Sequence, residues 1–312
     1  MSKCLYCYQE IANELDFHKS CAKSFFGNTE APIVPYNLSE MDELAKQVVE
    51  RSVTVPGVQP KLSMSFVSES LKKDSRLTVV GALGENYILK PPNTDYPELP
   101  QNEHVSMRIA EAFGLKVVPS SLIRLKSGEL AYITKRIDRI DDDQKVHMLD
   151  MFQILEAFDK YKGSYEKIGK AIGQYSVNTN LDKINYLELL LFCFLTGNND
   201  MHLKNFSLID DVNGWALAPA YDLLNVSIVI PNDKEEVALT IEGKKSKLKR
   251  KHFENLGKEL GLTEKQKEGV FNRVIKKNLL IEDWIHKSFL SEEFKKAYME
   301  VSTKRFKTLL DL

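Results

Sequence analysis

The chain has 312 residues, 43% hydrophobic and 28% charged, with 43 basic residues against 44 acidic ones. At about 150 residues per domain there is room for about two domains, and a net charge of −1 excludes a global pull toward nucleic acid or an anionic membrane. The longest apolar run, Leu187–Leu195, is interrupted by Glu188 and is shorter than the ~20 residues that span a bilayer. The opening MSKCLYCYQE lacks the basic-then-apolar pattern of a secretory signal, so the expectation is a cytoplasmic protein with no membrane partner.

Residues 1–28 read as a small unit of their own. Cys4, Cys7, His18 and Cys21 follow the spacing C-x2-C-x10-H-x2-C. Two close pairs of soft or borderline ligands suit tetrahedral Zn2+, and a set of four leaves no open position, so the metal would be structural. A unit this short cannot fold on a hydrophobic core, and a metal would hold it together. Phe17, Phe25 and Phe26 are candidates to dock this zinc knuckle on its neighbour. Cys193 lies apart in an apolar helix and reads as a small core residue.

A Pro-containing linker, EAPIVPYN, leads to a helix whose expected N-cap is Ser39, with Glu43 in its first turn. KLSMSFV, RLTVVGALG, NYILK, SSLIRL and LAYITKRI then read as strands, being short, rich in β-branched and aromatic residues, and bounded by turn formers. One helix interrupts them: NEHVSMRIAEAFG places Val105, Ile109 and Phe113 on one face and stops at Gly114. From Val146 the pattern is mostly helical, including MLDMFQILEAFDKY, KINYLELLLFCFLTG, KRKHFENLGKELG and EEFKKAYMEVSTKRFKTLL. The expected domains are a knuckle at 1–28, a β-rich lobe at 29–140 and a helical lobe at 141–312.

The stretch TGNNDMHLKNFSLI, residues 196–209, ends the apolar helix at Gly197 and enters a polar loop. NFSLI and WALAPAYDL, with Asn213-Gly214 as the turn signal, read as a hairpin. Centred near Val212, it sets Asn205 opposite about Pro219, with Asp222 just beyond. An Asn and an Asp converging beside Asp200 suit a hard cation such as Mg2+. Asp200 is placed to take a proton from a hydroxyl nucleophile. The D-x-x-x-x-N spacing is that of a protein-kinase catalytic loop, although Asx turns alone also produce such loops. A kinase further requires a strand-end Lys and a helical Glu to hold it. Lys90 and Glu103 are the candidates, against the bland readings of a solvated Lys and a helix-start acid favoured by the macrodipole. The loop SVTVPGVQPKLSM has a single Gly, Gly57, and is a poor phosphate cradle on first principles. KKSKLKRK, residues 244–251, reads as a solvated charged segment or as a phosphate contact.

In order, VPGVQPKLSM, YILKPP, NEHVSMRIAEAFGL, ITKRIDR, LTGNNDMHLKNFSL and PAYDLLN resemble the HipA-type serine/threonine kinase toxins, most closely the short HipT-like kinase cores. The resemblance implies an α+β, two-lobed protein-kinase-like (HipA-like) fold, with a small β-rich lobe and a larger helical one. It implies ATP and Mg2+ as cofactors, Asp200 as catalytic base and Asn205 and Asp222 as Mg2+ ligands. His202 takes the place of a catalytic-loop Lys, with Lys204 beside it. ATP would meet Lys90, held by Glu103, the phosphate loop at Gly57, Val58 and Gln59, and the backbone at Lys135 and Ile137. Ser52 and Thr54 resemble the S-x-S autophosphorylation site, where added negative charge beside ATP would inactivate. The implied substrate is an aminoacyl-tRNA synthetase, with tRNA near the basic run. The implied partners are a separately encoded small protein like the HipA N-terminal subdomain and a helix-turn-helix antitoxin, without which DNA is not an expected partner. The alternatives are a kinase-like nucleotide- or partner-binding module and a small-molecule kinase.

Overall fold

The computed structural model describes residues 2–12, 14–41, 43–44, 61–68, 75–79, 86–139 and 144–311, without the side chains of 65–68, 75, 76, 78 and 79. The phosphate-loop residues Gly57, Val58 and Gln59, and with them Ser52 and Thr54, lie outside the described residues. The chain divides into two compact units. One comprises Met1–His104, Val118–Lys145 and Lys287–Phe289; the other comprises Val105–Val117, Val146–His286 and Leu290–Leu312.

The first unit starts with a short hairpin, β1 (Ser2–Lys3) and β2 (Glu10–Ile11), followed by α1 (Lys19–Phe26). Its main sheet uses β3 (Leu62–Ser68), β4 (Ser75–Val79), β5 (Tyr87–Lys90), β6 (Ser120–Arg124) and β7 (Leu130–Lys135). These pair antiparallel in the order β4-β3-β5-β7-β6. All five fall on stretches whose β-branched and aromatic content marks them as strands. Before the sheet, the helical turn at residues 38–41 is opened by Asn37 and not by Ser39. Glu40 accepts a hydrogen bond from the Asn37 N–H at 2.6 Å, and the Met41 N–H closes on the Asn37 carbonyl. Between β5 and β6 the chain forms α2 (Leu99–Ala112), whose Glu103 and His104 belong to this unit.

The N-terminal segment packs on this sheet. The Leu122 N–H donates to the Leu5 carbonyl at 3.4 Å. Arg124 grips Asp16 through three contacts of 2.8–3.2 Å. Phe25 and Phe26 pack at a tilt against Tyr87 at 5.9 and 6.2 Å, as expected of them, while Phe17 meets Phe26.

The second unit is built around a helix with almost no solvated face. It contains β8 (Met148–Asp150), α3 (Met151–Ile154), α4 (Tyr165–Tyr175) and α5 (Thr179–Leu195), with all of Tyr186–Leu195 buried. The second half of α2 and the residue after it belong here: Val105, Ile109 and Phe113 are buried, and Phe113 meets Phe192 at 5.3 Å. The hairpin β9 (Ser207–Asp211) and β10 (Gly214–Leu217) follows, with β8 on its free side. Then come α6 (Val226–Val229), α7 (Arg250–Glu259), α8 (Glu264–Lys276), α9 (Asn278–Lys287) and α10 (Glu292–Leu309).

Residues 148–161 depart from the helical expectation. Pairing with β9 draws 148–150 into a strand, and the Asp150/Gln153 capping box then starts a helix of a single turn. Apolar spacing cannot anticipate a strand partner nearly sixty residues away. Among the described residues, no helix is long and apolar enough to cross a membrane.

Candidate functional site

The polar loop lies in the second unit, where a buried helix end holds it. Gly197 closes α5 at φ 71°, and a Cβ there would come within 2.6 Å of Asn225 Oδ1 and 2.7 Å of Val301. Both backbone sign and space therefore require glycine. Tyr165 of α4 donates its buried hydroxyl to the Met201 carbonyl at 3.1 Å. The Leu203 N–H donates to the Lys160 carbonyl at 3.1 Å. Buried Asp182 accepts from the Leu217 N–H at 2.7 Å, which pins the returning strand to α5.

Within the loop, the Asp200 carbonyl gathers its neighbours. It accepts from the His202 N–H at 2.8 Å and from Asn205 Nδ2 at 3.0 Å. That bond orients the Asn205 amide and leaves Oδ1 as its ligand atom for a hard cation. The hairpin register pairs Leu208 with Leu217, one residue from the expected centring, and the Ala218 N–H reaches the Ser207 carbonyl at 2.9 Å. Beyond it, the Tyr221 hydroxyl donates to the Lys204 carbonyl at 2.9 Å and meets Ser207 Oγ at 2.5 Å. The residues preceding Asn205 and Asp222 are thereby bonded to each other. Asp222 adopts φ 55°, a left-handed backbone that a non-glycine residue keeps only when its surroundings impose it.

Asn198 joins the two acids. It is 1% exposed; its Oδ1 accepts from the Asp200 N–H at 3.3 Å and its Nδ2 donates to the Asp222 carbonyl at 3.4 Å. Asn199 holds a different segment, donating to Asp233 Oδ2 at 2.9 Å and the Glu235 carbonyl at 3.1 Å. Spacing along the sequence does not reveal the Asn198 bridge. It also misses Tyr161, whose hydroxyl donates to Asp200 Oδ1 at 2.8 Å while its ring stands edge-on to His202 at 5.1 Å. Burial and the Asp200 charge push the Tyr161 phenol well above its usual range, so it stays a donor. No spacing rule links residues 39 positions apart.

His202 is buried, whereas Lys204 is exposed, with its ammonium 4.7 Å from the Phe152 ring centre. In the basic run, Lys245 pairs with Glu235 and Arg250 with Glu254.

In the first unit, Lys90 and Glu103 form a buried ion pair at 2.6 Å, with exposures of 3% and 1%. The bland reading of a solvated strand-end Lys does not describe this group. The Tyr132 ring, 5.3 Å from Nζ, adds to its surroundings. At the end of β7 the Lys135 N–H goes to the Pro119 carbonyl and the Arg136 N–H to the Asn86 carbonyl. A backbone donor to adenine from residues 135–137 would therefore be Ile137.

The Cys/His group in this unit has the dimensions of a metal site. The four donor atoms lie within 4.8 Å of one another. His18 Nδ1 is 3.5 Å from Cys7 Sγ and 3.7 Å from Cys21 Sγ. A tetrahedral Zn2+ with bonds of ~2.0–2.3 Å sets ligand separations of about 3.5–3.8 Å. The other ring nitrogen, Nε2, lies 3.0 Å from the Glu10 carbonyl, the outer-shell contact that turns the Nδ1 lone pair inward. Burial and the neighbouring Cys4 and Cys7 push the Cys21 thiol up to about 12, a crowding that a bound cation relieves.

A family model described as the HipA-like C-terminal domain matches residues 53–280. The chain is 32% identical over 210 residues to a Haemophilus influenzae protein named "Putative kinase", covering 63% of this chain and 59% of that protein. It is 36% identical over 188 residues to a kinase-named protein of Sinorhizobium fredii, Y4dM, covering 55% and 44%. It is 26% identical over 212 residues to the serine/threonine-protein kinase toxin HipA of Shewanella oneidensis, covering 61% and 47%. The matched segment thus spans about half the length of these curated relatives. Among solved structures, the Shewanella oneidensis complex of HipA, HipB and operator DNA gives a TM-score of 0.69 at 20% identity, covering 91% of this chain and 73% of that one. The Helicobacter pylori proinflammatory kinase CtkA gives 0.54 at 18%, covering 74% and 90%.

Proposed function

Because the chain belongs to the HipA-like C-terminal domain family and has its kinase-like fold, we propose that it is an ATP- and Mg2+-dependent serine/threonine protein kinase acting as a toxin. The observation that carries this reading is the Asn198 bridge between the Asp200 N–H and the Asp222 carbonyl. It holds a base and a cation ligand that are far apart in sequence in one fixed relation, which a plain Asx turn does not require.

Asp200 accepts the proton of a Ser or Thr hydroxyl as its oxygen bonds to the γ-phosphorus. The bond from that phosphorus to the β,γ-bridging oxygen breaks, and ADP carries the electron pair away. Asn205 and Asp222 would hold Mg2+, which when bound neutralises charge on the phosphates. Lys90 meets the phosphate oxygens and Glu103 keeps its ammonium in place. Tyr161 steadies the Asp200 carboxylate, while His202 and Lys204 stand beside it. The backbone at Lys135 and Ile137 receives adenine, with Ile137 as the N–H donor, and Ser52 and Thr54 are self-modification sites.

The substrate we favour is an aminoacyl-tRNA synthetase. The partners we favour are a small HipA-subdomain-like protein and a HipB-like antitoxin, the latter supported by the Shewanella complex. The Cys/His group takes a structural Zn2+. With labelled ATP, Asp200→Asn should lower phosphotransfer by roughly 10²–10⁴-fold while ATP affinity and tryptophan emission stay as in the wild type. Undiminished transfer by the purified variant sinks the assignment of the base.

A second reading, nucleotide binding without turnover, draws on the Tyr161 hydroxyl that already occupies Asp200 Oδ1. Wild type and Tyr161→Phe that both bind ATP and both fail to transfer phosphate would favour it.

A further inference from the structure

We infer that the Cys/His unit is a positioning element for the Lys90–Glu103 pair, and that Tyr8 is the residue through which it reaches Glu103. The inference concerns how the pair is held; its consequence for ATP rests on the kinase reading above.

Two arms lead from the donor residues to the two members of the pair. The first starts at Cys7. Tyr8 follows it directly, with its N–H on the Cys4 carbonyl at 3.0 Å and φ 64°. Its backbone thus closes the turn that presents Cys4 and Cys7, in a conformation an L-residue adopts only when constrained. Its side chain is buried. The hydroxyl meets His104 Nδ1 at 2.7 Å, and the ring stands edge-on to His104 at 5.2 Å and to Phe289 at 5.4 Å. His104 is the neighbour of Glu103 on α2 and has no exposed surface.

The second arm starts at Cys21, inside α1. That helix ends in Phe25 and Phe26, which pack against Tyr87, and Tyr87 begins the strand that ends in Lys90. One cluster of four donors therefore anchors both the helix carrying the carboxylate and the strand carrying the ammonium. A salt contact of 2.6 Å between two buried groups tolerates little relative movement, because Coulomb attraction and hydrogen-bond geometry both weaken steeply with separation. A cation that closes the C-x2-C turn and fixes Cys21 in α1 restrains both sides at once. Core packing alone explains a buried Tyr8, but not a strained tyrosine hydrogen-bonded beside the helix partner of Lys90.

The experiment uses the full chain, without nucleotide, as purified with Zn2+ and after chelation, together with Tyr8→Phe and Cys21→Ser. Bound zinc is counted, and hydrogen exchange is followed in peptides covering 86–90, 99–105 and, as reference, 165–175. Tyr8→Phe should retain zinc and exchange roughly fivefold faster at 99–105. Chelation or Cys21→Ser should raise exchange about tenfold at both 86–90 and 99–105, with 165–175 unmoved. Wild type without stoichiometric zinc, or unchanged exchange at 99–105 in Tyr8→Phe or the chelated protein, overturns the inference.

Fluorescent ATP and adenosine analogues then separate positioning from general loosening. Tyr8→Phe should bind the ATP analogue about fivefold more weakly and the adenosine analogue as before, whereas equal loss of both marks a merely structural effect and overturns it. If exchange responds while ATP affinity does not, the positioning stands and the assignment of Lys90 to the phosphates fails.

Discussion

Glu103→Ala isolates the buried ion pair. The substitution leaves the Lys90 ammonium in a site where the lysine is 3% exposed, after removing a carboxylate oxygen 2.6 Å away. Removing one partner of a buried ion pair costs ~3–5 kcal/mol. The Tyr132 ring, 5.3 Å from Nζ, offsets ~0.5–1 kcal/mol of it. The expected loss is about 3 kcal/mol, a factor of roughly 150 in the opening equilibrium of the surrounding sheet. Both tryptophans, Trp215 and Trp284, lie in the second unit, so their emission does not read this sheet directly. The assay is native-state hydrogen exchange at Leu89 and Ile133, which pair across β5 and β7. Replacing both partners with apolar groups, Lys90→Met with Glu103→Leu, should restore exchange to within about 1 kcal/mol of wild type, because the stranded charge is gone. Exchange unchanged in Glu103→Ala, or a double variant no better than the single one, would refute the reasoning.

Three further outcomes are expected. Gly197→Ala should destabilise the second unit by about 3 kcal/mol, combining the strained φ with overpacking against Asn225 and Val301, and lower the urea midpoint of tryptophan emission. Asn198→Ala leaves the Asp200 N–H and the Asp222 carbonyl without their side-chain bonds. It should weaken Mg2+-dependent ATP binding in calorimetry more than Mg2+-free binding, and an equal loss of both would count against the bridge. Tyr87, which burial pushes up to about 12, keeps its proton in the folded state after the unfolded chain has lost it near pH 10. The folded state then binds more protons, so stability falls as pH rises from about 10 to 12; thermal unfolding of Tyr87→Phe should lack that alkaline loss.

Local chemistry made much of this protein legible. The strands of the first sheet follow from β-branched runs, the long buried helix from its apolar content, and the β9–β10 hairpin from an Asn-Gly turn. The spacing of Cys4, Cys7, His18 and Cys21 reads directly from residue type, and the fold brings their four donor atoms within 4.8 Å of one another. The misses have separate causes. The helical turn at 38–41 starts from Asn37 because Glu40 reaches its N–H, a choice between adjacent caps worth little in either direction. Residues 148–150 form a strand because β9 offers a partner.

Residue type and spacing along the chain single out the groups suited to chemistry: Asp200, Asn205, Asp222, Lys90, Glu103, Cys4, Cys7, His18 and Cys21. How they are held comes from packing. Asn198 spans the two acids, Tyr161 meets Asp200, Lys90 is buried against Glu103, and Tyr8 meets His104. Each of these contacts joins residues brought together by packing, and a hydrogen bond or ion pair depends on distance in space, about which separation along a chain says nothing.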